Sequence, residues 1–409
     1  MRILMANALF PPARTGSAIF TEQLALSLTE IGHEVQVVTT TNADGDGLNE
    51  CPIHVTRLKS RNVSVGRLAW NYVIPLSVGP KNARAIKQIM RSFRPEVVIC
   101  HGQIFDLTWL TAIVARLCRI PVVVVVHTAI WNENRFRRFV LRAFERIVIN
   151  PILKYAKADF IAVDKWTHGD AKRLLAKHKP VQVIPVSVDS SQFQDGDPEI
   201  ARERYGIPNS PILLSLGHVI ALRNRHALVR ALQLIIDEVP DVTVVIAGEL
   251  YDSSFLDIAN DLGVAEHIIC LGSVPHQDIK HLLATAAIEL HDLQGLGLGI
   301  TTMEAMASGV PIVAWASDDN YPGISLRSYE GLMFIDDVSP EVLSAAVLKM
   351  LHDPAAREKA VAAQRLMVND LFHPLSVAQS YQTVMQSVLP SDQEIEKQDQ
   401  DSRTPPLIL

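Results

Sequence analysis

The sequence lacks the features that mark several classes of protein. Its cysteines are few and scattered, without the spacing of a metal site. Uninterrupted apolar runs reach only five residues, as at 122–126, which is far short of the roughly 20 needed to cross a bilayer. Because Met1 leads directly into a predicted strand, we also expect no signal peptide. These absences predict a cytoplasmic protein with reduced thiols at Cys51, Cys100, Cys118 and Cys270.

An excess of basic charge is also missing. Lys and Arg number 38 against 44 Asp and Glu, which gives a formal net charge of −6. Nucleic-acid-binding proteins usually carry a basic surface, so this balance argues against a nucleic-acid partner. Hydrophobic residues make up 48% of the 409 residues and charged residues 20%. That composition is typical of a globular protein with room for two domains.

The first strand-to-helix turn lacks a dinucleotide-binding motif. Strand, loop, helix and strand follow one another from Arg2 to Thr40, which predicts a βαβ unit of a parallel sheet. A nicotinamide-binding domain would show Gly-x-Gly-x-x-Gly in the loop, but here the loop reads PPARTGS. Gly16 and Ser17 still lie at the carboxyl end of a parallel strand. We therefore expect them to face a ligand crevice.

The clearest positive feature is HDLQGLGLGITTMEAMASGVPIVAW, from His291 to Trp315. A glycine-spaced turn precedes a helix predicted to begin near Thr301 and to stop at Gly309. Glycines let the backbone approach a bulky anion, and the free amides at a helix start favour phosphate. Glu304, in the first turn, can accept hydrogen bonds from the vicinal hydroxyls of a ribose. The pattern predicts a sugar-nucleotide site.

A purely structural interpretation of the same residues is open. Thr301 and Glu304 would form a capping box, and Gly309 would end the helix. The glycines would then only turn the chain. The two interpretations differ in whether Glu304 is held by its own helix or is available to a ligand.

This stretch resembles the donor-site block of retaining family-4 glycosyltransferases. The resemblance implies an α/β protein of the GT-B fold, with two doubly wound Rossmann-like domains facing each other across a cleft. In that family two glutamates are separated by seven residues, and the second holds the ribose; Glu304 matches the second. The first falls on Leu296, a departure at a position used near the donor sugar. Asp292 and Gln294 are the nearest polar substitutes.

Other blocks extend the resemblance over nearly the whole chain. Basic residues, Arg223 and Arg225, follow the strand that ends at Gly217, which suits a site where a cation meets a leaving diphosphate. The family has arginine and lysine where this chain has His218 and Arg223, and it has a second glycine where this chain has Ser17. The donor-binding residues implied are Gly16, Ser17, Gly217, His218, Arg223, Gly248, Glu249, Asp292, Gln294, Gly297, Leu298, Gly299, Ile300, Thr301 and Glu304.

Two histidines follow buried strands of the predicted first domain. His101 ends EVVICHG and His127 ends PVVVVVHT, where a side chain points toward the crevice of a parallel sheet. We expect both on the acceptor side, with His127 touching substrate. The alternative is a buried neutral imidazole satisfied by backbone groups. His127, Arg223 and Glu304 form the predicted catalytic set.

The segment from 131 to 158 predicts a basic amphipathic helix. Apolar residues recur at helical spacing among five arginines, from Arg135 to Arg146. Either the helix packs its apolar side on the domain core, or it contacts an anionic membrane surface that carries a lipid-linked acceptor. The second interpretation predicts a peripheral membrane protein.

These observations predict a domain organisation and an activity. We expect an acceptor-side domain at 1–192, a sugar-nucleotide domain at 193–370 behind a polar linker, a closing helix at 371–389 that returns to the first domain, and a disordered tail at 390–409. The resemblance implies transfer of a sugar from UDP, GDP or another nucleoside diphosphate to a hydroxyl of a glycan, lipid-linked or small-molecule acceptor. Anomeric retention is implied.

No metal or other cofactor is expected. No Asp-x-Asp triplet occurs at the end of a predicted strand, and Arg223 and helix amides are expected to stabilise the diphosphate charge in place of a metal ion. Two alternatives remain open. A catalytically silent sugar-nucleotide-binding protein would explain Leu296, His218 and Ser17, and a sugar-nucleotide epimerase would share the fold. The sequence leaves the base, the sugar, the acceptor and the oligomeric state undetermined.

Overall fold

The structure is a computed structural model of the chain. The predicted tail at 390–409 and the thiol of Cys51 lie outside the residues that it describes, as do the side chains at 174 and 296. The described residues are 1–13, 15–41, 52–66, 73–130, 132, 134–174, 179–321 and 323–389.

The first domain is built on a seven-stranded sheet whose neighbouring strands all run parallel. In chain order it contains β1 (Arg2–Asn7), α1 (Gly16–Glu30), β2 (Glu34–Thr40), β3 (His54–Leu58), β4 (Arg61–Ser64), β5 (Val73–Leu76), α2 (Pro80–Phe93), β6 (Val97–His101), α3 (Asp106–Leu117), β7 (Val122–Val126), α4 (Arg135–Phe144), α5 (Asn150–Tyr155), β8 (Asp159–Ala162), α6 (Lys165–Leu174) and β9 (Gln182–Val183).

The strand order is β3-β2-β1-β6-β7-β8-β9, with β4 and β5 forming a separate antiparallel hairpin. The order reverses between β1 and β6, and a doubly wound sheet binds its ligands at such a switch point. Burial follows the sequence pattern, since the five valines of β7 are each at most 1% exposed. In β1, Ile3 and Met5 pack in one core layer, while Leu4 and Ala6 pack in the other.

The second domain repeats the α/β pattern with parallel strands in the orders β12-β11-β10-β13 and β14-β15-β16. A bridge between Glu289 and Ile312 joins the two sheets. In chain order it contains α7 (Pro198–Tyr205), β10 (Ile212–Leu216), α8 (Arg225–Glu238), β11 (Thr243–Ala247), α9 (Ser254–Asp261), β12 (Ile268–Gly272), α10 (His276–Thr285), β13 (Ala286–Glu289), β14 (Leu293–Leu296), α11 (Ile300–Ser308), β15 (Val313–Ala316), β16 (Met333–Phe334), α12 (Pro340–His352), α13 (Pro354–Met367) and α14 (Pro374–Val388).

The segment predicted to link the domains is more ordered than its composition indicates. It contains α7, which packs against α10 of the second domain. The preceding chain is also closely packed, because a Cβ added at Gly196 would stand 2.3 Å from the Lys280 carbonyl oxygen. α14 packs against α1, so the closing helix does return to the first domain.

The helix predicted between 131 and 158 is divided. α4 is followed by a π-helical segment, Glu145–Ile149, and then by α5. α4 buries none of its residues, and Phe136 and Phe139 are 73% and 68% exposed. The interpretation in which this helix packs its apolar side on the core is therefore wrong for α4. Within the described ranges, no helix is both long and apolar enough to span a bilayer.

The two domains meet across a cleft at the carboxyl ends of their sheets. Lys165, at the start of α6, donates its backbone N–H to the carbonyl oxygen of Asn320, 2.9 Å away. On the other side of the cleft, a Cβ added at Gly16 would stand 2.8 Å from Cδ1 of Ile300. The starts of α1 and α11 therefore face each other. The expected arrangement of two doubly wound domains facing across a cleft is confirmed.

Candidate active site

The start of α11 is free of side-chain capping. The helix begins at Ile300 with Gly299 as its N-cap; the Gly299 amide donates to Asp292, but the N-cap residue provides no side-chain hydrogen bond to the amides of the first turn. Thr301 lies 3.5 Å from the carbonyl oxygen of Leu216, while Glu304 pairs with His276. The capping-box interpretation is therefore wrong, although Gly309, at φ +84°, does end the helix as predicted. The first amides of a helix have no partner within it, so they are available to an anion.

Asp292 holds the glycine turn in place. Its carboxylate is fully buried, and Oδ2 accepts a hydrogen bond from the Gly299 amide at 2.5 Å. Oδ1 accepts from Nη1 of Arg223 at 2.5 Å and from Nε2 of Gln294 at 3.0 Å. Asp292 therefore links the turn before α11 to the predicted diphosphate-binding arginine. Whether Asp292 or Gln294 substitutes for the family glutamate stays a prediction, and the side chain of Leu296 lies outside the described part of the chain.

His218 cannot fully replace the cation that the family has at its position. It is exposed, although its ring packs edge-on against Tyr251 with the ring centroids 5.5 Å apart. Burial lowers the pKa of His218, Arg223 lowers it further, and Glu249 opposes the shift. The imidazole is thus mainly neutral at pH 7 and offers a hydrogen bond instead of a fixed charge.

The ends of β10 and β11 approach each other closely. A Cβ added at Gly248 would stand 2.1 Å from the Gly217 carbonyl oxygen, and one added at Gly217 would stand 2.7 Å from Cε1 of His291. Gly217 also has φ +102°, which favours glycine. Only glycine fits at these two loop positions. The Glu249 side chain that follows is exposed, and it accepts a hydrogen bond from the Tyr251 hydroxyl.

Glu304 is buried and has one protein partner that the sequence did not reveal. It is 4% exposed, and its Oε1 lies 3.1 Å from Nε2 of His276, the first residue of α10. The His276 ring is edge-on to Phe193 at 6.3 Å. Nothing in the sequence marks this histidine, because the pairing joins the first residue of α10 to a residue of α11 that lies 28 positions later in the chain. Because α11 begins at Ile300, Glu304 lies beyond its first turn, and the prediction that it lies in the first turn is wrong.

A buried polar cluster under the turn was also missed. Arg225, assigned above to the diphosphate, is 2% exposed and pairs with Nδ1 of His291 at 3.0 Å, so that assignment is wrong. Burial lowers the pKa of Arg225 to about 10 and holds that of His291 well below its ordinary value. Glu289, which accepts from Thr302 Oγ1, has its pKa raised to about 8 by burial and by Asp292. The signal in the sequence was a glutamate within the apolar strand AAIE.

The two histidines of the first domain form a pair. Nδ1 of His101 lies 2.9 Å from Nε2 of His127, and Phe20 packs edge-on against both rings. His101 is fully buried and His127 half-buried, so only His127 reaches the cleft. Burial lowers the pKa of His127 to about 4 and that of His101 well below its usual range. The imidazoles are neutral, as the alternative predicted, but they pair with each other through one nitrogen each instead of with backbone groups, and Nε2 of His101 has no hydrogen-bond partner in the described part of the chain.

The structure brings the remaining predicted residues to one region without testing their roles. Ser17 lies in the first turn of α1, where its backbone carbonyl accepts from the Asn7 amide, beside Gly16 and opposite α11. Leu298 is 6% exposed and belongs to the core, so its side chain serves packing. Residues contributed by both domains thus surround a single cleft around the start of α11.

Comparisons with known proteins agree with this architecture. A family described as glycosyl transferase 4-like domain matches residues 15–187, and one described as glycosyl transferases group 1 matches residues 197–367. The matches fall on the first and second domains in turn. In fold, the chain is similar to the crystal structure of Anabaena Alr3699/HepE in complex with UDP and glucose, with a TM-score of 0.67 and 17% identity, covering 95% of this chain and 100% of that one.

Two curated relatives share part of the sequence. The chain is 29% identical over 203 residues to a GDP-mannose-dependent alpha-(1-6)-phosphatidylinositol monomannoside mannosyltransferase of Mycolicibacterium smegmatis, covering 47% of this chain and 52% of that protein. It is 26% identical over 233 residues to a D-inositol 3-phosphate glycosyltransferase of Acidothermus cellulolyticus, covering 53% and 50%. The chain spans about half the length of these curated relatives.

The position of Glu304 generates a first prediction. Replacing Glu304 with Ala should remove charge-assisted hydrogen bonds to a ribose worth roughly 1.5–3 kcal/mol. Nucleoside diphosphate affinity, measured by calorimetry, should then fall about ten- to a hundredfold. Glu341→Ala, a first-turn glutamate on the surface of α12, is the matched control and should leave affinity unchanged. Equal affinities for both variants would leave Glu304 with a structural role only.

Glu289 generates a prediction about pH. Its carboxyl keeps a proton up to about pH 8 in the folded protein, against an ordinary pKa of 4.5 in the unfolded chain. Between these values the folded state binds more protons, so the free energy of unfolding should fall as pH rises through this window. Glu289→Gln should remove that contribution, and its Tm should fall less between pH 6 and pH 9 than that of the wild type. An unchanged pH profile in the variant would contradict the raised pKa.

Proposed function

The chain belongs to the family-4 glycosyltransferases of the GT-B fold, and on that basis we propose that it transfers a sugar from a nucleoside diphosphate to an acceptor hydroxyl. One observation carries the proposal. The glycine turn is fixed by Asp292 so that Arg223, the free amides of α11 and the buried Glu304 follow one another along one wall of the cleft. That sequence of groups matches the cation, diphosphate and ribose sites of a sugar nucleotide.

In the proposed reaction, the diphosphate is the leaving group. The bond from the anomeric carbon to the phosphate oxygen breaks, and the acceptor oxygen forms the new glycosidic bond. The departing phosphate oxygen takes the acceptor proton, as the resemblance implies for a retaining enzyme. Arg223 and the α11 amides stabilise the charge that grows on the diphosphate, which is electrostatic catalysis of the oxyanion type. No metal ion is part of the proposal.

His127 is the first-domain group proposed to contact substrate. Its pKa of about 4 makes it neutral at physiological pH, so it acts as a hydrogen-bonding group and not as a cation. With Nε2 occupied by His101, Nδ1 is the nitrogen left for the cleft. His101 thus sets the orientation of His127 from within the core.

The names of the two relatives guide the test, since they mention GDP-mannose and inositol-containing acceptors. We expect labelled sugar from a UDP- or GDP-sugar to pass to phosphatidylinositol or to inositol phosphate, and we expect the rate to be unchanged in EDTA. Binding without turnover in any arm would favour the silent binding protein. If the donor is converted at a rate that no acceptor increases, the sugar-nucleotide epimerase would be favoured. Rescue of an EDTA-treated sample by magnesium would overturn metal independence.

Arg223 generates a prediction about rate. Because the charge it faces grows as the bond breaks, Arg223→Ala should lower turnover by about 10²–10³. Arg223→Lys, the family residue, should restore much of it. Arg230→Ala on the exposed side of α8 is the matched control. If Arg223→Ala lowers donor affinity but leaves turnover unchanged, the transition state is stabilised by other groups.

We also propose that α4 rests on an anionic membrane. Phe136, Phe139 and, beyond α4, Ile147 are 73%, 68% and 72% exposed. Five arginines lie among these apolar residues, from Arg135 to Arg146. The surface of an anionic membrane can bind both kinds of residue, because its acyl chains contact the apolar side chains and its acidic headgroups attract the arginines. A lipid-linked acceptor would then be presented beside the first domain.

Vesicle binding tests the membrane proposal. Sedimentation with vesicles containing phosphatidylserine should exceed that with pure phosphatidylcholine and should fall as salt rises. Phe136→Ser with Phe139→Ser should weaken binding by removing apolar contact. Arg137→Glu with Arg138→Glu should weaken it by reversing charge, whereas Arg84→Glu with Arg91→Glu on α2 should not. Equal recovery with both vesicle types would contradict the proposal.

A further inference from the structure

Gly297, in the turn before α11, is enclosed by polar side chains from both domains. The point where a Cβ on Gly297 would stand is 2.9 Å from Oδ2 of Asp164. It is also 3.0 Å from Oδ1 and 3.1 Å from Nδ2 of Asn320. Asp164 lies between β8 and α6 of the first domain, and Asn320 follows β15 of the second. A carboxylate and an amide therefore meet at the cleft edge beside the donor turn.

One oxygen of Asp164 is committed to its own domain. Oδ1 accepts from the backbone N–H of Thr167 at 2.7 Å and from its hydroxyl at 2.8 Å, which caps the start of α6. Oδ2 is the oxygen turned toward Gly297. Burial raises the pKa of Asp164, while the Thr167 bonds and Arg223 lower it. Arg223 pairs with Asp292, which also accepts from Gly299, two residues beyond Gly297, so this carboxylate lies near the proposed diphosphate site.

The Asn320 amide is buried at this same point of the cleft edge. The residue is 1% exposed, and within the described part of the chain its Nδ2 makes no hydrogen bond of normal geometry, although the amide interacts with the Tyr321 hydroxyl and opposes the rise in the pKa of that group. Its backbone is fixed by bonds from Lys165 N–H and to the carbonyl of Ser317. Leaving a buried donor unsatisfied is unfavourable, so such a group commonly serves a ligand.

The two side chains together match a hydroxyl group. A hydroxyl can donate to a carboxylate oxygen and at the same time accept from an amide N–H. In the proposed donor site, Glu304 binds the ribose, and the amides at the start of α11 bind the diphosphate. Gly297 comes two residues before the N-cap and Glu304 five residues after it, so on the proposed donor arrangement we assign the sugar to the Gly297 side of the diphosphate.

We propose that Asp164 and Asn320 together bind one hydroxyl of the donor sugar, an inference that rests on the proposed function. Asp164 then supplies, from the opposite domain, the carboxylate that Leu296 lacks. Asp292 is already used by Gly299, Arg223 and Gln294. Because Asp164 and Asn320 belong to different domains, they can bind the hydroxyl together only when the domains meet as they do in this structure.

The competing explanation is that Asp164 only caps α6 and that the meeting of Asp164 and Asn320 beside Gly297 only holds the domains together. Asp164→Asn and Asp164→Ser separate the roles, because Asn and Ser both cap helices but neither provides a carboxylate. Asn320→Ala removes the donor. Lys165→Ala removes the ion pair with Asp319 across the cleft and is the control for domain contact. Gln294→Ala tests Oε1 of Gln294, a buried acceptor in the glycine turn that has no hydrogen bond within the described residues.

The measurement is the ratio of affinities for a nucleoside diphosphate and its sugar conjugate, by calorimetry with UDP, UDP-glucose, GDP and GDP-mannose. Asp164→Asn and Asn320→Ala should each weaken the sugar conjugate about tenfold or more and leave the diphosphate within about twofold. Lys165→Ala should leave the ratio unchanged. With deoxy donors, the wild type should lose affinity for one analogue, and Asp164→Asn should abolish that difference.

Several outcomes would overturn the proposal. Equal weakening of diphosphate and conjugate, or the same change in Lys165→Ala, would assign Asp164 to capping and domain contact. A ratio altered only in Gln294→Ala would assign the sugar contact to the turn itself. If the wild type binds the sugar conjugate no more tightly than the nucleoside diphosphate, this proposal is wrong, but the proposed diphosphate site is unaffected. Failure to bind any nucleotide would overturn the proposed function as well.

Discussion

The candidate site depends on one buried carboxylate. Asp292 is fully shielded from water and receives hydrogen bonds from a backbone amide and two side chains. A buried charge is tolerable only when it is paired and hydrogen-bonded, so these bonds are obligatory for the fold. The same bonds set the position of the glycine turn and the direction of Arg223, and thereby the shape of the proposed diphosphate site. If that proposal holds, stability and ligand binding depend on the same residue.

The surroundings of Asp292 show how the protein limits the charge that it buries. Glu289 lies close to Asp292, and its pKa rises to about 8, so that the nearby acid is protonated and neutral. Arg225 and His291 pair with each other below the turn. On the other side of the cleft, His101 and His127 are also neutral. Arg225 stays charged, since its pKa is about 10, but it is buried below the turn, so Arg223, half-buried at the cleft, is the arginine of this cluster that a ligand could reach.

The two domains contribute unequal parts to this cleft. The second supplies the rigid wall of glycine turn and α11, whereas the first supplies single groups at the ends of its strands, such as His127 and Asp164. Parallel strands bring those groups to one edge regardless of their distance in sequence. The exposed apolar residues of α4 belong to the same first domain, so the proposed membrane surface and the proposed acceptor side of the cleft lie in one structural unit.

The sequence by itself determined the strand–helix rhythm and the doubly wound fold, and it located the glycine turn before α11, while the donor-binding roles of Glu304 and Arg223 stay predictions. The fold and the turn follow from local periodicity and from a motif whose residues are close in the chain. It did not reveal the pairing of Glu304 with His276, the burial of Arg225, the side of α4 that faces solvent, or the meeting of Asp164 with Asn320. Those contacts join elements far apart in sequence, and only tertiary packing decides which polar groups are buried together, because desolvation depends on every neighbour in space.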